Sequence, residues 1–220
     1  MDLTNWKGVA RPERITLEGY YTRIEPLDAA RHGDDLFASA QAPGAEDRFR
    51  YLFEDAPADY AAFSPWLEKA ASSSDPLVFA TIDKRTGRAE GRQALMRMDN
   101  THGVIEIGSI LWGPAIARSR VTTETLFLFA SYVFDTLGYR RFEWKCNNLN
   151  EPSKQAAERF GFVYEGIFRQ HMVAKGKNRD TAWFAMIDAD WPQLKARYER
   201  WLHPENFHEA GHQKTKLALA

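Results

Sequence analysis

Tyr139-Arg140-Arg141-Phe142-Glu143-Trp144-Lys145-Cys146-Asn147-Asn148-Leu149-Asn150-Glu151-Pro152-Ser153 carries a strand into a capped helix, and this stretch decides the fold. Arg141 to Cys146 alternates and is rich in aromatics, the pattern of a half-buried strand. Asn150 suits an N-cap, and Pro152 is tolerated in the first helical turn. Ala156, Ala157 and Phe160 then supply an apolar stripe, Gly161 suits the left-handed position past the helix end, and Phe162 opens the next strand. The reading is strand, turn, short helix, strand. Asn147 to Ser153 places more polar groups at the handover than capping requires.

Outward from there, residues 122–137 are apolar almost all the way round a helical wheel, which predicts a buried helix ended by Gly138. Leu77 to Asp83, Gly91 to Met98 and Val104 to Trp112 read as a three-strand meander with a turn at Lys84 to Gly87. Before them come a strand at Tyr20 to Pro26, a helix capped by Asp28, an irregular aromatic and basic segment from Gln41 to Pro57, and a helix from Asp59 to Ser72. After the short helix come strands Phe162 to Ala174 and Thr181 to Asp188 around a turn at Lys175-Gly176-Lys177. A closing helix then carries Trp191, Leu194, Tyr198 and Trp201. The expected fold is α/β (α+β), with a mixed, mostly antiparallel sheet flanked by helices. One domain is expected over 1–203, with its core at 20–188 and the closing helix at 189–203, followed by a frayed polar tail at 204–220.

Composition excludes several classes. The 29 basic and 30 acidic residues nearly cancel, so no bulk field draws the chain to nucleic acid or an acidic membrane surface. A single cysteine, Cys146, excludes an internal disulfide. No run approaches the roughly 18 apolar residues of a membrane helix, and the first residues lack the layout of a signal peptide, so a cytoplasmic protein is expected. Tryptophans such as Trp191 or Trp201, if exposed, would offer a homodimer contact.

Chemistry-bearing residues concentrate in the second half. Period-two alternation puts Glu106, Gly108 and Ile110 on one face of an otherwise apolar strand, so Glu106 is either structurally paired or a base. Gly113 to Thr122 leads into the buried helix, where free N–H groups and the dipole favour phosphates, and Arg118 and Arg120 stand beside it. His208-Glu209-Ala210-Gly211-His212 matches a zinc-helix pattern, but Gly211 disfavours a helix, and no metal is expected. Cys146 has no partner that would activate it and is expected to be a small buried hydrophobe. Asn150 and Ser153 are each explained by the helix start alone.

Together these residues resemble the GNAT superfamily of acyl-CoA N-acyltransferases over about Tyr20 to Asp188, with the closest likeness to the ribosomal-protein-alanine N-acetyltransferase branch. The carriers are Asn150-x-x-Ser153, Glu158-Arg159-Phe160-Gly161-Phe162 with Glu165-Gly166, Thr123-Glu124, and Glu106-Ile107-Gly108. The resemblance implies a sheet of about seven strands, two of them splayed around the pantetheine arm of acetyl-CoA. It implies Glu106 as base acting through a water, backbone donors near Ile110 and Leu111, and Ser153 as acid towards the leaving sulfur. Asn150 would hold pantetheine, and Arg118, Ser119, Arg120, Val121 and Thr122 the phosphates. The family's phosphate loop reads Arg/Gln-x-x-Gly-x-Gly/Ala; Ala117, Arg120 and Thr122 stand at its signature positions, and a positive φ at Arg120 would be costly. Met172 stands where the branch carries a second acid. Arg50, Tyr51 and His171 are the candidate acceptor contacts. The implied acceptor is a small-molecule primary amine; a protein N-terminus, or a degenerate fold that only binds acyl-CoA, are the alternatives.

Overall fold

The computed structural model describes residues 2–209 and 211–217. Within them eight strands form one sheet: β1 (Leu17–Glu18), β2 (Thr22–Pro26), β3 (Leu77–Asp83), β4 (Arg88–Asp99), β5 (Val104–Trp112), β6 (Arg141–Asn147), β7 (Val163–Ala174) and β8 (Lys177–Ile187). Their order is β1-β2-β3-β4-β5-β6-β8-β7, and every pairing is antiparallel except β5 with β6. The expected mixed, mostly antiparallel sheet is present, with one strand more than expected because β1 is a two-residue edge piece.

The helices are α1 (Ala29–Gln41), α2 (Ala45–Phe49), α3 (Tyr60–Ser72), α4 (Arg120–Ser131), α5 (Glu151–Arg159) and α6 (Trp191–Leu202), with a π-helical turn at Tyr132–Thr136 extending α4. The segment read as irregular thus contains the short α2. Asp28, Asp59 and Asn150 cap α1, α3 and α5 through their side chains, as their types predict. Gly161, at φ 93°, ends α5.

The sheet is covered on both faces. Along β3, Leu77 and Phe79 join the core under α4 and α6, whereas Val78, Ala80 and Ile82 pack towards α1 and α3. Buried hydroxyls on α4 bond to its own carbonyls: Thr122 and Thr123 to Ser119 O, and Thr125 to Val121 O.

Two expectations fail at the C-terminus. Of the segment expected to fray, residues 205–209 and 211–217 are held in place, and residues 210 and 218–220 lie outside the described residues. Trp201 Nε1 donates to Gln213 Oε1 (3.1 Å) and Thr215 O (3.0 Å), and Asn206 Nδ2 donates to Trp201 O (2.8 Å). Phe207 and Leu217 are buried in the main core. Polar composition hid this, because the clamp is made of side-chain hydrogen bonds. Trp191 and Trp201 are likewise buried, Trp191 donating to Asp135 Oδ1 at 2.8 Å, so neither offers an exposed dimer contact.

Candidate active site

The site begins where β5 and β6 part. Their parallel pairing covers only Val104–Ile107 against Arg141–Trp144, and beyond it the facing strand edges have no strand partners. A β-bulge in β5 falls at the same place: Arg92 pairs with Leu111 but Ala94 with Gly108, and Ser109 takes φ 51°. Arg92, almost fully buried, fixes the bulge by donating from Nη1 to Ser109 O (2.7 Å) and to Ser109 Oγ. The extra residue reverses the face reading beyond it. Ile110 packs on the main core with Ile105 and Ile107, while Leu111 joins Ala40 and Phe49 on the opposite face.

Two cavities meet at this cleft, sharing Arg48, Ile110, Trp144, Asn150 and Ser153. The larger, about 700 Å³, runs between β5, α5 and the loop before α4, and Phe207, Gly211, His212 and Gln213 close one side. Arg48, Arg118, Arg120 and Arg159 line it, with no carboxylate among its lining residues. Such a lining fits a polyphosphate. Ser119 caps α4, its Oγ accepting from Val121 N at 3.1 Å. Arg118, not Arg120, takes the left-handed conformation (φ 57°); Arg120 opens the helix and stacks on Tyr21 at 4.3 Å and Phe207 at 5.2 Å. The positive φ that would have been costly at Arg120 therefore falls two residues earlier, on the exposed Arg118. Arg118, Ser119, Arg120 and Thr122 line the large cavity; Val121 is buried and does not. Arg159, which carries no expected site role, donates to Thr123 Oγ1 at 3.1 Å, and burial holds its guanidinium below its ordinary range.

The smaller cavity, about 220 Å³, lies on the other side of the shared residues. Glu106 lines it and is buried between two cations: Arg97 Nη1 donates to Oε1 at 2.7 Å, and Lys145 Nζ lies 2.9 Å from Oε2 and 2.6 Å from Glu143 Oε2. Gly108 leaves room for this arrangement, since a Cβ there would lie 2.6 Å from Met96 Sδ and 3.1 Å from Glu106 Oε1.

Ser153 sits at the junction. Its Oγ accepts from Trp144 Nε1 at 3.0 Å, and its backbone N donates to Asn150 Oδ1 at 3.2 Å. The indole occupies a lone pair of the hydroxyl, leaving its proton to be donated. Asn150 spends Oδ1 on the cap, so the NH₂ end is the part available to a ligand. Burial pushes the Cys146 thiol up, more than the neighbouring Ser153 hydroxyl lowers it, which suits an inert thiol.

Tyr51 lines the smaller cavity, but Arg50 and His171 do not. Arg50 is exposed and pairs with Asp47. His171 lies in a three-residue irregularity of β7, where Phe168 pairs with Thr181 but Met172 with Arg179, and its Nδ1 is 3.0 Å from Thr181 Oγ1. Asp180 sustains it, its Oδ1 accepting from Gln170 N at 2.8 Å. Arg97, Lys145 and Arg179 line the cavity without having been singled out. For Lys145 and Arg179 the usable signal was strand alternation carried to one more residue.

The tail histidines form a tight turn: His208 N donates to His212 O at 2.9 Å, and Gly211 N to His208 O at 2.8 Å. Ala210 lies outside the described residues. Among the described residues no group of three or more His, Cys, Asp or Glu is arranged to hold a metal ion, and no helix is long and apolar enough to cross a membrane.

Comparison with known proteins agrees with this geometry. The model of the Acetyltransferase (GNAT) domain matches residues 23–163. A GCN5-related N-acetyltransferase from Brucella melitensis is 60% identical, covering 98% of this chain and 97% of that one, with a TM-score of 0.96. A GNAT-family protein from Chromobacterium violaceum is 37% identical over 87% of this chain and 96% of its own, with a TM-score of 0.80. An uncharacterised N-acetyltransferase, p20, from Bacillus licheniformis is 28% identical over 117 residues; the match spans 51% of this chain and 63% of that relative's length. A ribosomal-protein-S5-alanine acetyltransferase from Vibrio fischeri, 14% identical with a TM-score of 0.59, shares the fold alone.

Proposed function

The chain belongs to the GNAT family of acetyltransferases, and from that premise we propose that it transfers an acetyl group from acetyl-CoA directly to a primary amine of a small molecule. The observation that carries this reading is the pair of joined cavities: one lined by four arginines and no carboxylate, the other small and containing Glu106, with Ser153 between them. Acetyl-CoA supplies an activated acyl thioester. Arg118, Arg120 and Arg159 bind its phosphates, helped by the N–H groups at the start of α4. The NH₂ of Asn150 and the unpaired edges of β5 and β6 hold the pantetheine arm. The N–H of Ile110, beyond the last β5 residue that pairs with β6, donates to the acyl carbonyl oxygen. Leu111, turned to the other face by the bulge, is left out of this role.

Glu106 takes the proton of the acceptor ammonium through a water in the small cavity, and Arg97 and Lys145 fix the carboxylate's orientation. Ser153 gives its hydroxyl proton to the departing sulfur. The acceptor volume of about 220 Å³ lies below the roughly 300–1,000 Å³ of ordinary ligand pockets, which favours a small amine over a protein N-terminus.

The test is a titration with acetyl-CoA followed by a thiol-release screen over amino acids, polyamines and N-terminal peptides. Release with a small amine that is lost in Glu106→Gln supports the reading. Binding of acetyl-CoA with no release for any amine supports a non-catalytic acyl-CoA binder, a reading motivated by the changed phosphate loop.

A further inference from the structure

The acceptor cavity contains a buried cation that forms no ion pair among the described residues. Arg179, on β8, is only 8% exposed and lines the cavity with Glu106, Asn150 and Ser153. No carboxylate among the described residues forms an ion pair with it. Phe53 lies 5.1 Å from the guanidinium and covers one face, which leaves the in-plane donors unused, and buried Nε has no hydrogen-bond partner.

The other cations around the cavity are engaged. Arg97 and Lys145 pair with Glu106, and Lys145 also with Glu143. Arg48 donates to the carbonyls of Ser39, Ala40, Ala42 and Pro43, holding the end of α1. The second carboxylate in the lining, Glu54, is taken by Arg92. Of the four cations lining the cavity, Arg97 and Lys145 share Glu106 and Arg48 is bonded to backbone carbonyls, which leaves Arg179 with neither. Burial holds its guanidinium below the ordinary range.

A buried guanidinium with no anion is unfavourable, and its forked donors match the two oxygens of a carboxylate. Resting on the acetyl-transfer reading, we propose that the acceptor is a small amine that also carries a carboxylate, an amino acid or a close analogue, and that Arg179 binds that carboxylate while the amine faces Ser153. The guanidinium then gains its missing partner only when the correct acceptor is bound. Amines that lack the anion leave it buried and unpaired.

The experiment compares acceptors in matched pairs, each L-amino acid against its carboxamide, with 2-aminoethylphosphonate added, in acetyl-CoA thiol release. At least one acid should exceed its carboxamide by about tenfold or more in kcat/KM. Arg179→Met should bring that ratio close to one, with CoA affinity measured as the check on folding. The wild-type ratios need no variant, so a misfolded Arg179→Met leaves the comparison intact. Carboxamides equal to or better than acids throughout, a preference that survives Arg179→Met, or a preference for the phosphonate would each overturn the assignment while acetyl transfer stands. If CoA binds and no amine releases thiol, the transfer reading fails instead. Calorimetric titration of the same pairs into the CoA complex then decides: tighter binding of the acid supports the role of Arg179, and equal or absent binding overturns it.

Discussion

Replacing Ser153 with alanine separates catalysis from stability at the junction of the two cavities. The hydroxyl accepts from Trp144 Nε1 at 3.0 Å, so its loss orphans the indole donor of a buried tryptophan, at a cost of about 1–3 kcal/mol. The backbone bond from Ser153 N to Asn150 Oδ1 survives, and alanine returns about 0.5 kcal/mol of helix propensity. A net loss of about 0.5–2.5 kcal/mol lowers Tm by about 1–10 °C in a chain of this size. The chemical loss is larger: removing a general acid costs about 10²–10⁴ in kcat. Trp144→Phe and the double variant complete a cycle. Once both partners are gone nothing is orphaned, so the double variant should be more stable than the summed single losses by about 1 kcal/mol, while its kcat stays as low as that of Ser153→Ala. Melting curves and thiol release with one fixed acceptor read both quantities. A Ser153→Ala kcat within about threefold of wild type, or a kcat that recovers in the double variant along with stability, would refute the acid role.

Three further outcomes follow from particular contacts. Phe207→Ala empties a buried site under Arg120 and should cost about 3–5 kcal/mol; calorimetric melting reads it, and because Phe207 lines the larger cavity, CoA affinity should fall as well. Glu25 is buried, which opposes ionisation, but contacts from Arg23, His32 and Arg31 outweigh this and hold its carboxyl below the ordinary range. Its contribution is therefore complete above about pH 4.3 and disappears as pH falls through the lower folded value, so acid unfolding of Glu25→Gln should be less steep than that of wild type. Cys146 is buried with a raised thiol, so at pH 8 iodoacetamide should label the native protein far more slowly than the denatured chain, as intact mass will show.

Much of this fold was legible because its signals are local. Asn150 before Pro152, Gly161 after Phe160, and the alternation of Arg141 to Cys146 each specify their own few residues, and their order supported the family resemblance. What was not legible depends on distant partners. The Ser109 bulge is held by Arg92 from the neighbouring strand, and it moves Ile110 to the other face. His171 is displaced by an irregularity that Asp180 supports from across the β7 to β8 hairpin. Arg179 falls between the turn expected at Lys175 to Lys177 and the strand expected from Thr181, whereas β8 already starts at Lys177. The tail reads as frayed because the contacts that hold its described residues lie on Trp201 and Asn206. Glu106 was recognised as either paired or a base; the structure displays the pairing, and the base role awaits the Glu106→Gln assay.

Direct transfer between the two cavities is tested most plainly by a single turnover with acetyl-CoA labelled in the acetyl carbonyl, the protein in excess and a mixture of small amines present. Quenched samples are separated into protein and small molecules over the time course. The account predicts label passing from CoA to an amine with none accumulating on the protein. Label on Cys146 before any acetylated amine appears, or no labelled amine while acetyl-CoA is bound, would contradict it.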